Sequence, residues 1–283
     1  MPQRTAPTFR QRRLGMELRK MRERAGMSAA QAGQVLGAEG ARISNMESGR
    51  LGVSEERVRL LADIYSCSDR AYVDALAAMA AERGRGWWEE YRGKVAAGAL
   101  DLAELEHHAV ALRNVQVMYL PGLLQTEAYA KAVFAGAEPE PTPAQLRTRL
   151  SYRLRRRDVL DRVNPLRCTF LIHETALMMR FGGSEVLRGQ LEHLLEASER
   201  ENVTVRVIPF AAGSFPNAGS STMYVHGPVP QLDTVQLDVT DGSAFLDAEV
   251  RLATFRRVLE RVEEKALTVE GSRDFIHAVA KEL

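Results

Sequence analysis

Residues 28–50 contain two short helix signals joined by a tight turn, and this segment constrains the fold most strongly. Ser28 predicts a helix start, because its hydroxyl can accept a hydrogen bond from a free backbone N–H of the first turn. Gly37 is expected to end this helix, since glycine tolerates the left-handed conformation found at helix C-termini. Apolar residues lie between them at helical spacing, namely Ala29, Ala32, Val35 and Leu36. A second short helix is expected from about Gly40 to Ser48, so the segment predicts a helix-turn-helix.

The second predicted helix has an apolar side and a polar side. Ile43 and Met46 are expected to face inward, and Arg42, Ser44 and Asn45 outward. In a helix-turn-helix the second helix enters the major groove of DNA, where its outward side chains meet base edges. Arginine pairs with guanine and asparagine with adenine, and the polar residues flanking the helices are expected to hold phosphates. The candidate DNA-binding residues are Ser28, Gln31, Gly40, Ala41, Arg42, Ser44, Asn45 and Arg50.

The positive charge of the chain is concentrated at this end. Residues 1–50 hold 10 Lys and Arg against 4 Asp and Glu, a net charge of +6, whereas the whole chain carries +1. Such cations replace the counterions condensed on nucleic-acid phosphates. A first helix is predicted from Phe9 to Ala25, with its cations outside, namely Arg10, Arg12, Arg13, Arg19, Lys20, Arg22 and Arg24. A merely solvated basic face is the alternative, but together with the motif the charge favours DNA.

Further residues of this region fit a known pattern. They are Leu14–Gly15, Leu18–Arg22, Gly26–Ser28, Leu36–Gly37 and Ile43–Arg50. The region resembles the Cro-repressor-like (xenobiotic-response-element, XRE) helix-turn-helix family, with I-S-x-x-E-x-G-R as its most specific part. The resemblance implies five helices over roughly residues 10–80 and sequence-specific binding of double-stranded DNA. Glu39–Gly40–Ala41 and Asn45 depart from the family pattern, so the base preference of relatives does not transfer.

Length and composition predict the wider organisation. A chain of 283 residues suggests about two domains. We expect a DNA-binding domain at 1–83 that closes with a helix from Asp69 to Arg83, an aromatic linker at 84–98 and a second domain at 99–283. The first eight residues are expected to be disordered. Because no apolar run approaches the roughly 20 residues of a membrane span and no signal peptide precedes the helices, we expect a cytoplasmic protein that joins the nucleoid when bound to DNA. Cys67 and Cys168 are expected to be free thiols.

The predicted linker concentrates three aromatic residues, Trp87, Trp88 and Tyr91. Such a cluster either binds a ligand or, more commonly, buries the linker against the following domain. Beyond it, the predicted helices are 99–118, Gln125–Ala135, 144–161, Ser184–Arg200, Ala248–Ala266 and Val269–Leu283. The predicted strands are Arg167–His173, Val203–Phe210, Thr222–His226 and Thr234–Val239. The expected fold class is therefore a mainly α helix-turn-helix domain followed by an α+β domain, a small sheet packed by helices.

The second domain also carries a recognisable motif. Residues 121–130 read P-G-L-L-Q-T-E-A-Y-A, and Ile172–Leu177 and Val203–Phe210 agree with the same pattern. The domain is similar to the C-terminal domain of unknown function in actinomycete regulators, including WhiJ-like and antitoxin-like regulators. This resemblance implies a sensing or interacting domain, and a small partner protein encoded nearby.

Several polar residues of the second domain are candidates for binding a ligand or a partner. Gln125 and Glu174 are candidates for ligand or partner binding, together with Trp87, Trp88 and Tyr91; for Glu174 a helix cap is the favoured alternative. Six arginines among residues 147–157 predict an ion-paired or solvated face, or else a face for phosphates or an acidic partner. The 213–221 loop is either a lid or a plain connection. His107 and His108 are expected to be surface residues rather than metal ligands.

Two functional classes follow from these patterns. The leading hypothesis is a homodimeric transcriptional regulator that binds DNA and whose second domain binds a ligand or a protein. The alternative is an antitoxin-like interaction protein that binds a small partner protein and autoregulates its own operon. A small-molecule effector is a third hypothesis for the second domain. No catalytic motif is recognisable, so we expect no enzyme, cofactor or metal.

Overall fold

The protein divides into two compact units, Met1–Trp87 and Trp88–Leu283. A computed structural model describes residues 7–82, 84, 86–239 and 242–283. Of the eight residues predicted to be disordered, the first six lie outside the described residues, as does the predicted helix end at Arg83. For Thr8 the prediction is wrong, because this residue is the N-cap of the first helix. No helix of the described chain is long and apolar enough to cross a membrane. Cys67 and Cys168 are both free thiols, as predicted.

The first unit is helical. Its helices are α1 (Phe9–Arg24), α2 (Ala29–Val35), α3 (Gly40–Glu47), α4 (Glu55–Ile64) and α5 (Arg70–Ala81). Four of these helices begin with a side chain that accepts a hydrogen bond from the backbone N–H three residues later, namely Thr8, Ser28, Ser54 and Asp69. Each such cap stabilises its helix by about 1 kcal/mol. The local sequence therefore determines where these four helices begin.

The core of the first unit draws on every helix. The buried side chains include Leu18, Ala32, Ile43, Leu61 and Leu76. Gly15 is required where α1 crosses the end of α3, because a Cβ atom on this residue would lie only 2.4 Å from the Glu47 carbonyl oxygen. This close approach fixes the position of α3 against α1.

The second unit is built on one mixed sheet. Its helices are α6 (Ala97–His108), α7 (Glu127–Ala135), α8 (Pro143–Arg155), α9 (Glu174–Met178), α10 (Ser184–Ala197), α11 (Glu249–Glu263) and α12 (Val269–Glu282). Its strands are β1 (Ala111–Gln116), β2 (Arg167–His173), β3 (Val203–Ile208), β4 (Thr222–His226), β5 (Thr234–Val239) and β6 (Gly242–Leu246). The strand order is β3-β2-β1-β4-β5-β6. Strands β1, β2 and β3 are parallel, and the remaining pairs are antiparallel.

Helices cover both faces of this sheet. Successive strand residues point to opposite faces, so Phe170 joins the core that contains α10 and α12, whereas Leu171 joins the core that contains α11. In the second core, Leu252 and Leu259 of α11 are buried. This arrangement confirms the predicted α+β class.

Three local predictions for the second unit were wrong. The helix predicted at 99–118 ends at His108, and β1 follows as a central strand between β2 and β4. Leu112 and Val115 are three residues apart, a spacing that fits a helix, but pairing on both sides overrides this local pattern. Strand β6 was not predicted. The helix predicted at 144–161 is α8 followed by a separate 3-10 turn, Arg156–Leu160.

The 213–221 loop is anchored rather than open. Phe215 is buried in the core that contains α11, and its ring lies 5.5 Å from that of His173. Asn217 adopts a positive φ of 61° and donates a hydrogen bond to Thr222 Oγ1. These contacts fit a fixed connection better than a mobile lid.

Candidate nucleic-acid interface

Helices α2 and α3 pack closely through two glycines. A Cβ atom on Gly33 would lie 2.6 Å from the Ala38 carbonyl oxygen, and one on Gly40 would lie 3.0 Å from the Ala30 Cα atom. Between the helices, Gly37 has a φ of 62°, in the left-handed region that glycine tolerates. The structure thus contains two short helices in tight contact, joined by a glycine turn.

The outer side of α3 is exposed as the sequence predicts. Ala41, Arg42, Ser44 and Asn45 are exposed and Gly40 is half-buried, whereas Ile43 and Met46 lie in the core. Ser44 Oγ donates to the Gly40 carbonyl oxygen at 3.2 Å, which holds this hydroxyl against its own helix. Within the described chain, the side chains of Arg42 and Asn45 form no hydrogen bond or ion pair.

The predicted phosphate residues differ in how far they are engaged. Ser28 and Gln31 form a capping box, in which Ser28 Oγ accepts from the Gln31 N–H at 3.2 Å and Gln31 Oε1 accepts from the Ser28 N–H at 2.7 Å. Both are exposed at the start of α2, and the Gln31 amide nitrogen is still available as a donor. Arg50 is exposed and pairs with no residue that the structure describes.

An ion pair fixes the recognition helix from behind. Arg22 donates from Nε and Nη2 to the two carboxylate oxygens of Glu47, at 2.6 and 2.9 Å, and from Nη1 to the Met27 carbonyl oxygen at 2.6 Å. The hydrogen bond to Glu47 raises the pKa of Arg22 above its ordinary value. Glu47, the glutamate of the I-S-x-x-E-x-G-R segment, therefore connects α3 to α1.

A second buried cluster is centred on Glu17. Its carboxylate accepts from Arg13 Nε and Lys20 Nζ, both at 2.8 Å, and from the Tyr72 hydroxyl at 2.5 Å. Burial, together with the charge of Glu17, raises the pKa of Tyr72. Arg13 and Arg22 were predicted on the outside of the first helix, and this prediction is wrong because both are buried against carboxylates.

Sequence reasoning missed these two carboxylates, although one signal was present. Glu17 lies between Leu14 and Leu18 on the inner side of α1, where a charged residue is found only when it is paired. The surface charge left for DNA is smaller than predicted, because Arg19 pairs with Glu23 at 2.7 Å and Arg10 pairs with Glu82 at 3.1 Å.

Two of the three aromatic residues near the unit boundary, Trp88 and Tyr91, pack within the second unit. Trp88 is buried, with its ring 5.0 Å from that of His107 and 6.1 Å from that of His108. The Tyr91 hydroxyl lies 2.7 Å from Ser151 Oγ, and its ring lies 5.4 Å from that of Tyr152. Trp87 is half-buried. The packing alternative thus accounts for the placement of Trp88 and Tyr91.

Gln125 and Glu174 both bind the protein's own residues. Gln125 is buried; its Nε2 donates to the Leu120 carbonyl oxygen at 2.8 Å, and its Oε1 accepts from Arg153. Glu174 Oε2 accepts from the Phe210 N–H at 2.7 Å. The favoured prediction that Glu174 caps the following helix is wrong, because His173 is the N-cap and its ring accepts from the Thr175 N–H.

The buried side-chain amide of Gln190 holds the 121–126 segment in place, a role that the sequence did not predict. Gln190 lies on the inner face of α10; its Oε1 accepts from the Thr126 N–H at 2.6 Å and its Nε2 donates to the Leu124 carbonyl oxygen at 2.8 Å. The signal in the sequence was a polar residue between Leu187 and Leu191 on an apolar helix face.

The arginine-rich segment of α8 is largely engaged inside the unit. Arg155 pairs with Glu90 at 2.6 Å, and Arg156 binds both carboxylate oxygens of Glu106 at 2.8 and 2.6 Å. Arg157 lies 3.3 Å from His193. These contacts support an ion-paired face for Arg155 and Arg156, whose partners lie on other elements of the unit.

Two family models match the chain in agreement with these two units. Residues 13–76 match a helix-turn-helix domain. Residues 99–278 match a domain of unknown function, DUF5753, which is more than half of the chain. The chain belongs to the DUF5753 family. No curated protein and no solved structure matches it.

The matched ranges correspond to structural elements. The helix-turn-helix match contains α2 and α3 and reaches from α1 into α5, and the DUF5753 match contains all the strands of the sheet. The protein therefore combines a helix-turn-helix domain, a class that binds DNA, with a DUF5753 unit of α+β structure. In the first unit, α3 presents exposed polar side chains to solvent and is held in place by its close packing against α2.

Proposed function

We propose that this DUF5753 protein is a sequence-specific, double-stranded DNA-binding transcriptional regulator of the Cro-like (XRE) type. The observation that carries the proposal is the outer face of α3, where Arg42 and Asn45 are exposed and pair with no described residue, on a helix that matches a helix-turn-helix domain. An enzyme role has no support in this arrangement. Its place of action would be the nucleoid in the cytoplasm.

Each exposed residue has a proposed task. Arg42 donates two hydrogen bonds to guanine, and Asn45 pairs bidentately with adenine in the major groove. Ser44, Ala41 and Gly40 face the bases at the start of the helix. Arg50, together with Ser28 and Gln31 at the start of α2, holds the phosphate backbone and sets the register of the helix.

We propose that the regulator acts as a homodimer. Single helix-turn-helix units read short half-sites, and dimers place two recognition helices about 34 Å apart, one turn of B-DNA. The operator is then an inverted repeat whose half-site spacing reflects the symmetry of the dimer.

The deciding experiment is a binding-site selection from random DNA with the full chain and with Arg42→Ala. The wild type should recover an inverted repeat, and Arg42→Ala should lose its preference at one base position per half-site, a change of about 1–3 kcal/mol in discrimination. Arg70→Ala, at an exposed arginine on α5, is the matched control and should retain the preference. An Arg42→Ala variant that selects the same motif as the wild type would remove α3 from base readout.

An antitoxin-like role is the second candidate, and exposed apolar side chains favour it. Met118, Met178 and Phe210 are 43%, 44% and 58% exposed. They follow β1, β2 and β3, parallel neighbours whose carboxyl ends meet at one edge of the sheet. Exposed apolar patches commonly mark protein-binding surfaces. Co-purification of a small protein with the wild type, but not with a Met178→Lys and Phe210→Lys double variant, would support this role.

A further inference from the structure

We propose that the DUF5753 unit binds an oxyanion, the carboxylate or phosphate group of a small molecule, between Arg153 and Arg156 above Gly122. This site goes beyond the proposed DNA binding and does not depend on it. It assigns to the second unit a ligand class that complements positive charge.

Arg153 is a half-buried cation that contacts no carboxylate among the described residues. Its Nη1 donates to Gln125 Oε1, and its guanidinium carbon lies 4.8 Å from the centroid of the Phe134 ring. Its Nε is buried and forms no hydrogen bond. Burial, and then the charge of Arg156, lower its pKa to about 10. Burying an uncompensated charge is costly, so an additional counter-charge would stabilise this group.

Arg156 brings a second guanidinium to the same place. Its Nε and Nη2 are occupied by Glu106, whereas its Nη1 forms no hydrogen bond to any residue that the structure describes. Glu106 contacts Arg156, and the charge of Asp238 acts on both arginines from a distance. The pair therefore carries one positive charge more than the contacting carboxylate balances. The free Nη1 is a donor that is available to a ligand.

Gly122 shows where the two guanidinium groups meet. A Cβ atom on this glycine would lie 3.3 Å from Arg153 Nη1 and 3.5 Å from Arg156 Nη1. Both terminal nitrogens therefore lie near the same point, and a methyl group there would be in van der Waals contact with both. Gly122 and Arg153 are both half-buried, so part of each residue is in contact with solvent.

The donor set selects the class of ligand. Guanidinium groups bind carboxylate and phosphate oxygens through short, charge-assisted hydrogen bonds, and arginine is the preferred residue for such planar recognition. The two arginines offer donors but no acceptor, and their excess charge disfavours a cation. The stacked Phe134 and Gln125 fix the position of Arg153 before a ligand arrives, which reduces the entropy cost of binding.

The test measures anion binding to the full chain without DNA. Orthophosphate and, separately, acetate are titrated by calorimetry against sodium chloride of equal ionic strength, and melting temperatures are recorded. At about ten times its dissociation constant, the binding anion should raise the melting temperature by about 3 °C. A response to phosphate alone would indicate a phosphorylated ligand, and a response to both would indicate oxyanions generally. A chain that responds to neither anion would overturn the proposal.

Matched variants locate the site. Arg153→Met keeps the volume of the side chain and should weaken anion binding by at least about 30-fold. Arg147→Met removes an exposed arginine from the same helix and should bind as the wild type does. Gly122→Ala retains both arginines but adds a methyl group in contact with their terminal nitrogens, so it should weaken anion binding by about tenfold. This variant tests the site if Arg153→Met does not fold. If Arg153→Met folds and binds the anion as tightly as the wild type, the anion is bound elsewhere and the proposal is overturned. If Arg153→Met does not fold, unchanged affinity in Gly122→Ala has the same meaning. Because DNA is absent, failure here leaves the proposed regulator function untouched.

Discussion

The two units of this protein differ in how completely carboxylates compensate their inward-facing arginines. In the helix-turn-helix unit, Arg22 is matched by Glu47 and Arg13 by Glu17, and the cations left without partners are exposed ones such as Arg42 and Arg50. In the DUF5753 unit, Arg155 pairs with Glu90 and buried Arg156 with Glu106. Half-buried Arg153 instead has an amide and an aromatic ring as its neighbours. A run of arginines in a sequence therefore does not indicate which of them is available to a ligand; the distribution of carboxylates in the fold decides it.

Replacing one arginine by methionine in each unit tests this difference in charge compensation most directly. Arg22→Met leaves Glu47 as a nearly buried carboxylate without its partner, and it should lower the free energy of unfolding by about 3 kcal/mol. Arg153→Met leaves no carboxylate unpaired, but it removes the donor to Oε1 of buried Gln125, so without added anion it should lower the free energy of unfolding by about 1 kcal/mol. Urea unfolding of the two variants in chloride buffer measures both values. Equal losses would show that Arg153 is as well compensated as Arg22.

A second test concerns how each unit fixes its characteristic segment. In the first unit an ion pair anchors α3, whereas in the second the amide of Gln190 binds the backbone of Leu124 and Thr126. Gln190→Leu would leave these backbone groups buried without partners, so it should lower the free energy of unfolding by about 2–4 kcal/mol. Leu191→Met, at a neighbouring buried position, is a volume-conserving control and should cost less than about 1.5 kcal/mol. If the two variants unfold at the same urea concentration, the amide bonds are not important for this segment.

The difference between the units also explains how far sequence reasoning reached. The helix-turn-helix was predictable because its signals are local: Ser28 caps α2, Gly37 makes the turn, and the spacing of Ile43 and Met46 defines the inner face of α3. The ion pair of Arg22 with Glu47 was not predictable, because it joins residues 25 positions apart in the chain. The helical spacing places Arg22 nearer than Arg19 to the inner face of α1, four residues after buried Leu18, but it does not identify the carboxylate with which Arg22 pairs.

In the DUF5753 unit, the elements with clear alternation were predicted and those shaped by neighbouring strands were not. Val203, Val205 and Val207 alternate with polar residues, and β3 lies where this pattern places it. Leu112 and Val115 have helical spacing, and only the pairing of β1 with β2 and β4 makes them strand residues. The arginine pair above Gly122 could not be predicted from the sequence either. Its charge depends on which arginine pairs with Glu106, and the sequence does not indicate that this is Arg156.

A third test sharpens the assignment of the exposed face of α3. Asn45→Ala removes the side chain proposed to pair with adenine, so it should cost about 1–3 kcal/mol in binding the selected site and little in binding random DNA. Fluorescence anisotropy with both DNAs measures the two values. Gln34→Ala, at an exposed position of α2, is the control and should leave the specificity ratio unchanged. A parallel loss of affinity for both DNAs would assign Asn45 to the phosphate backbone.

The smallest expected effect concerns Arg50, and it separates charge that contacts DNA from charge that does not. If Arg50 contacts a phosphate, Arg50→Ala should weaken binding to specific and random DNA alike, and it should reduce the slope of log affinity against log salt by about 1 for each bound copy of the contact. Arg147→Ala removes the same charge from an exposed position of α8 in the other unit, so the net charge of the two variants is equal. Binding curves at several sodium chloride concentrations give both slopes. A slope that changes equally in both variants would mean that the whole charge of the protein, rather than a contact at the end of the recognition helix, sets the salt dependence; a change in Arg50→Ala alone would place this side chain on the phosphate backbone.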